Sequence, residues 1–133
     1  MSEEEKVAVV ACAGMDKPLG SVARACAFKV VEELKPEDSV LVCILPLIAG
    51  VKPHSEWIKK YPIITIDGCA ERCATKMTAK NGGKIRGRIF IPQSVQKHGL
   101  KPKTSADIGP EGEKLAKKIA DETAFLIDKI LRK

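Results

Sequence analysis

Apolar and polar positions alternate along the chain in blocks that predict strands and helices in turn. The β-branched run from Lys6 to Ala11 is typical of a strand that is buried on both faces. After Pro18 the apolar residues recur three or four positions apart, and Lys35-Pro36 ends the pattern. This spacing predicts a first helix with one apolar face, formed by Leu19, Val22, Ala23, Cys26, Val30 and Leu34.

The same cycle of strand and helix continues through the rest of the chain. Further strands are predicted at 39–45, 62–67 and 88–92, and helices at 53–59 and from Cys69 to about Lys80. Asn81, Gly82 and Gly83 suit the end of that last helix because these residues tolerate positive φ. The polar stretch 93–108 is predicted to be irregular, and 109–132 to be a long amphipathic C-terminal helix.

Strands that alternate with helices indicate an α/β fold. We predict a single three-layer domain over 1–133, with a four-stranded, mostly parallel sheet flanked by helices in the Rossmann or flavodoxin-like manner. The strand order 2-1-3-4 would place the first strand between the second and third. A length of 133 residues suits one domain, and the polar residues 1–5 are expected to be a flexible N-terminus.

The composition is that of a globular protein with a buried core. Apolar residues make up 44% of the chain and charged residues 30%. No apolar run approaches the roughly 20 residues that cross a bilayer, and the N-terminus is acidic, unlike a signal peptide. We therefore expect a cytoplasmic location and no membrane partner.

The chain contains five cysteines, and their placement is the main chemical feature of the sequence. Under the predicted topology Cys12, Cys43 and Cys69 lie near the carboxyl ends of three strands, and Cys73 follows Cys69 by four residues on one helix face. Four converging thiolates suit a tetrahedral zinc ion. The spacing alone leaves buried structural thiols as an equal alternative, above all for Cys43, which lies within an apolar run. Cys26 falls on the apolar stripe of the first helix and is expected to be a buried core residue.

The cysteine-bearing segments resemble those of a known family. Residues 66–74 (IDGCAERCA) resemble the central Asp-Gly-Cys signature, with a second cysteine four residues later, of the DGC-domain family of proteins expected to bind zinc. The opening strand that runs into Cys12, followed by Gly20 and a helix, is similar to the family's opening, with Ala13 where serine is usual. Cys43 matches the remaining family cysteine, and His98-Gly99-Leu100-Lys101 is similar to a late turn of the family, so the resemblance covers about residues 6–105.

The resemblance implies that Cys12, Cys43, Cys69 and Cys73 are zinc ligands, although four thiolates can also hold iron. A closed four-cysteine site has no open position for water, which favours a structural or metal-sensing role over hydrolysis. No catalytic constellation other than the cysteines is visible. The alternative is a thiol-based redox enzyme or sensor in which Cys69 forms a disulfide with Cys73 or Cys12. Asp67, just before Cys69, is expected to cap the following helix.

The charge distribution singles out a basic segment. The formal net charge is +6, and Arg72–Lys103 contains no carboxylate. This pattern is typical of a solvated basic face, with an anionic ligand as the alternative. Aromatic residues make up only 4% of the chain, too few for nucleic-acid stacking, so nucleic acid is disfavoured as a partner. His54 and His98 are expected at the surface, without a cysteine partner.

Overall fold

The described residues form a four-stranded sheet between two layers of helices. The computed structural model describes residues 6–12, 16–68 and 70–132. Its strands are β1 (Val7–Ala11), β2 (Ser39–Val42), β3 (Ile63–Asp67) and β4 (Ile85–Phe90). Every strand pair is parallel, and the order is β2-β1-β3-β4. The predicted three-layer α/β fold and strand order are therefore confirmed, with a sheet that is parallel throughout its described length.

The helices connect the strands. They are α1 (Pro18–Phe28), α2 (Ile44–Ile48), α3 (His54–Lys60), α4 (Cys73–Lys80), α5 (Ile91–His98) and α6 (Gly109–Leu131). A π-helical segment, Lys29–Leu34, continues α1. Proline stands in the first turn of α1, α5 and α6, where its missing N–H costs no hydrogen bond. None of the helices within the described ranges is long and apolar enough to cross a membrane.

The sheet separates two apolar clusters. On one face Val7, Val9 and Ile64 pack against α1, α5 and α6. On the other face Ala8 and Val10 pack against α2, α3 and α4. Successive residues of the central strands are buried on opposite faces, which explains why these strands read as unbroken apolar runs rather than as alternating patterns.

Two predicted boundaries differ because helical burial replaces strand pairing. β2 ends at Val42, and Ile44 and Leu47 are buried three residues apart on α2 while Leu45 is exposed, so the predicted strand 39–45 was too long. β4 begins at Ile85 and ends at Phe90. Part of the stretch predicted to be irregular, 93–108, instead belongs to α5, whose first turn contains the buried Ile91.

The start of α4 also differs from the prediction. The helix begins at Cys73 rather than at Cys69, because Asp67 accepts hydrogen bonds from the backbone N–H groups of Ala74 and Thr75 and so defines the first turn. The predicted helix start at Cys69 was therefore wrong. Cys69 itself lies outside the described residues.

Candidate metal centre

Cys12 and Cys43 line the same cleft at the carboxyl ends of two neighbouring strands. Cys12 directly follows β1 and Cys43 directly follows β2. The cleft has a volume of about 100 Å³, and its remaining walls are Ala11, Arg24, Ala27, Phe28, Leu41, Val42 and Ile44. Cys12 is buried, whereas Cys43 is exposed. The alternative in which Cys43 is a buried core thiol is therefore wrong.

The backbone of Cys12 is fixed by the neighbouring strand β3. Its N–H donates a hydrogen bond of 2.8 Å to the carbonyl oxygen of Ile66. This bond extends the pairing of β1 and β3 by one residue beyond Ala11. The first cysteine is thus held beside the point where β3 runs into Asp67 and Gly68, the residues that precede Cys69.

The backbone of Cys43 is held by a histidine. Its N–H donates to Nδ1 of His54, the first residue of α3, at 3.1 Å. The His54 ring also packs edge-on against Trp57, with 5.5 Å between ring centroids. Because Nδ1 accepts here, the neutral ring carries its proton on Nε2. His54, expected at the surface without a cysteine partner, is half-buried and contacts the backbone of Cys43. No local sequence signal links residues that lie eleven positions apart on different elements.

Asp67, the last residue of β3, caps the N-terminus of α4. The side chain is buried, and Oδ1 accepts from the backbone N–H of Ala74 at 2.9 Å and from that of Thr75 at 3.4 Å. Oδ2 accepts from the Thr75 hydroxyl, which also lies 2.9 Å from the Thr65 hydroxyl. The predicted capping role is confirmed, and the buried carboxylate is stabilised by charge-assisted hydrogen bonds.

Gly68 is required by a close approach of two backbones. A Cβ atom at this position would lie 2.9 Å from the backbone nitrogen of Gly20 and 2.9 Å from the carbonyl carbon of Leu19. The first turn of α1 therefore rests directly against the end of β3. Any side chain would force these two elements apart.

Cys73 and Arg72 start α4. Cys73 is the first residue of the helix and is exposed. Arg72 has a left-handed backbone with φ of 51°, and its guanidinium lies 4.1 Å from the centroid of the Phe90 ring. Lys76 lies 4.0 Å from a Glu71 carboxylate oxygen. Arg72 therefore contacts Phe90 of β4, and Lys76 contacts Glu71.

The cysteine-bearing segments lie within a match to a known protein family. A family model of the DGC domain matches residues 8–123. The chain belongs to the DGC-domain family. Searches of curated proteins and of solved structures found no match.

The structure shows what the first two residues of the Asp-Gly-Cys motif do. In this DGC domain Asp67 is the buried cap of α4, and Gly68 allows α1 to contact β3. The first two residues of the motif therefore have structural roles.

The described part of the DGC domain brings together two of the four sequence-predicted ligands, Cys12 and Cys43. Cys73 lies at the start of α4, after β3, and Cys69 is outside the described ranges. Within those ranges no group of three His, Cys, Asp or Glu side chains is close enough to hold a metal ion. The thiol donors suit zinc chemically, but the described residues alone do not form a complete coordination sphere.

Cys26 is separate from this cleft. It is fully buried in the core, with Sγ 3.9 Å from Oγ1 of Thr123 on α6. Burial raises the pKa of the Cys26 thiol to about 12, and the contact with Thr123 offsets only part of this effect. The predicted role as a buried core residue is confirmed.

Proposed function

We propose that this DGC-domain protein binds one zinc ion through Cys12, Cys43, Cys69 and Cys73, and that the ion has a structural or metal-sensing role. The observation that carries the proposal is the shared cleft of Cys12 and Cys43 at adjacent strand ends. Cys73, at the start of the helix that follows β3, lies after a third strand of the same sheet. Zinc prefers four such ligands in a tetrahedral arrangement.

Metal binding would be coupled to the order of the strand-end loops. The four proposed ligands belong to segments that follow three different strands, so one ion bound by all of them would join these segments. The free energy of metal binding then contributes to the stability of the loops that carry the ligands. Four thiolates leave no coordination position for water, which favours a structural or sensing role; iron is the alternative metal.

The direct test is the metal content of untagged protein purified without oxygen or added metal, measured by elemental mass spectrometry against protein concentration. We expect about one zinc per chain. Cys69→Ser should lower both the zinc content and the Tm. Cys26→Ala is the matched control, since it should lower the Tm through the core but leave the zinc content unchanged. Unchanged zinc content in Cys69→Ser would overturn the proposal.

A second candidate function is thiol redox chemistry, with Cys69 as nucleophile and Cys73 or Cys12 as its disulfide partner. The observation that favours it is the exposure of Cys73 at the start of α4, because an exposed thiol is accessible to an oxidant. With peroxide as oxidant, two thiols would lose two electrons and two protons to form one disulfide and two waters. Metal-free protein with reversible peroxide oxidation would favour this function over zinc binding.

A further inference from the structure

The outer edge of β4 is open. The strand order places β4 at one end of the sheet, and in the part of the chain that the structure describes only β3 pairs with it. An edge strand exposes a row of backbone N–H and C=O groups that can pair with an added strand. Ile85–Phe90 is therefore a template for an extended peptide.

One face of this edge strand is strongly basic. A Cβ atom added to Gly87 would lie 3.3 Å from Cγ1 of Ile64. Ile64 packs against α6, so Gly87 lies on the face of the sheet that α6 covers. Because side chains alternate along Gly87–Phe90, Arg88 lies on the opposite face. Arg86 lies at the register shift between β3 and β4, and both arginines are exposed. Arg72 reaches the same face as Arg88, where its guanidinium stacks on Phe90.

Among the residues that the structure describes, these three guanidinium groups have no carboxylate partner. The ion pairs among the described residues join carboxylates to lysines or to His98, and none includes Arg72, Arg86 or Arg88. The surrounding segment 72–106 contains no Asp or Glu that could neutralise them. The face is therefore a site of uncompensated positive charge beside an open strand edge.

The combination of charge and open backbone indicates the kind of partner. A peptide that pairs with the regular part of β4 can place a carboxylate opposite Arg88, and the exposed Arg86 lies next to this paired segment, within reach of another acidic side chain of the peptide. Nucleic acid could bind to the positive charge, but it could not pair with the backbone of the edge strand. Phe90 is not available for base stacking, because the Arg72 guanidinium covers its ring. The edge of a second copy of this chain would bring arginine against arginine, which disfavours self-pairing.

We propose that the outer edge of β4 binds an extended acidic segment of a partner protein, which adds to the sheet as a further strand and places its carboxylates against Arg86 and Arg88. The register shift at Ile63/Ile64 gives β4 an extra residue at Arg86, so regular pairing is expected along Gly87–Phe90. The binding mode supplies affinity through backbone hydrogen bonds and specificity through charge. It is independent of the metal site.

The test uses the full chain and a fluorescent eight-residue peptide that alternates glutamate and valine, titrated by anisotropy. The R86E/R88E double variant should bind at least about tenfold more weakly, and R86Q/R88Q should also weaken binding. The K114E/K118E double variant is the matched control: it changes the net charge equally on exposed positions of α6 and should leave the affinity within about twofold. Circular dichroism checks that each variant is folded.

Three further probes separate the explanations. A peptide with glutamine in place of glutamate, and one with N-methylated backbone at alternate residues, should both bind weakly. Hydrogen exchange in Ile85–Phe90 should slow when the acidic peptide is bound. The proposal is overturned if the acidic peptide does not bind, if the N-methylated peptide binds equally well, if K114E/K118E weakens binding as much as R86E/R88E, or if a single-stranded oligonucleotide of equal charge binds more tightly.

Discussion

His54 and Cys43 are joined by a hydrogen bond from the backbone N–H of the cysteine to the imidazole Nδ1, at 3.1 Å. The bond ties the residue that follows β2 to the first residue of α3. It therefore orients Cys43 at the edge of the cleft that Cys12 also lines. Groups that orient a ligand in this way influence metal affinity without contacting the metal.

Replacing His54 should weaken zinc binding through Cys43. His54→Phe keeps an aromatic ring against Trp57 but removes the acceptor, and we expect a loss of about tenfold in zinc affinity, measured by competition with a chromogenic chelator. His54→Asn retains an acceptor near the position of Nδ1 and should restore most of the affinity. Equal affinity in the Phe variant and the wild type would show that the bond does not position the ligand.

Removing the cap of α4 should destabilise the domain. Asp67→Ala leaves two backbone N–H groups and the Thr75 hydroxyl without their buried acceptor, and we expect a loss of about 2 kcal/mol in the free energy of unfolding, measured in urea. Asp67→Asn keeps one acceptor and should lose about half as much. Asp121→Ala is the control, because its exposed pair with Lys117 contributes little. A similar loss in Asp67→Ala and Asp121→Ala would contradict the capping role.

Adding a methyl group at Gly68 should force α1 away from β3. The new Cβ would meet backbone atoms of Leu19 and Gly20, which cannot move without shifting the helix, so Gly68→Ala should cost about 2 to 3 kcal/mol of unfolding free energy. Gly87→Ala is the matched control, since its Cβ would meet only the Ile64 and Leu126 side chains. Thermal and urea unfolding of the two variants measure the difference, and the prediction fails if Gly87→Ala is the more damaging change.

The buried thiol of Cys26 should make stability depend on alkaline pH. Its pKa is raised to about 12 in the folded protein, so the unfolded chain ionises first, from about pH 9 upwards. The contribution of this group is fully present below about pH 9 and is lost as the pH rises towards 12, at no more than about 1.4 kcal/mol per pH unit.

Comparison of the wild type with Cys26→Ala isolates this effect from lysine and tyrosine titration. The wild type should be the more stable at neutral pH, and the difference in unfolding free energy should narrow when urea unfolding is repeated at about pH 10.5. A difference that is constant over this range would mean that the thiol ionises equally in both states.

The apolar pattern was sufficient to predict much of the fold. Buried parallel strands need apolar side chains on both faces, so Val7–Ala11 and Ile63–Asp67 are recognisable without any knowledge of their neighbours. The predicted strand order is also confirmed, although the apolar pattern did not determine it, because right-handed crossovers are compatible with other orders. The capping role of Asp67 could also be predicted, because a carboxylate before a helix has one common local use.

Boundaries and partners could not be predicted in the same way. An apolar residue after Val42 suits a strand or a helix equally, and only packing against the sheet made Ile44 the start of α2. Asp67 accepts its hydrogen bond from Ala74, which is seven residues away, and the helix therefore begins at Cys73 rather than at the predicted Cys69. Local propensity contains no information about such tertiary hydrogen bonds.

By itself, the sequence determined the class of fold and the set of chemically capable residues, because burial periodicity and residue type are properties of the chain alone. The tertiary structure decided which of those residues meet. It placed Cys12 and Cys43 in one cleft, brought His54 to the backbone of Cys43, and left Arg86 and Arg88 on an open strand edge. These contacts depend on the distance between elements in space, which is set by the packing of two helical layers on the sheet.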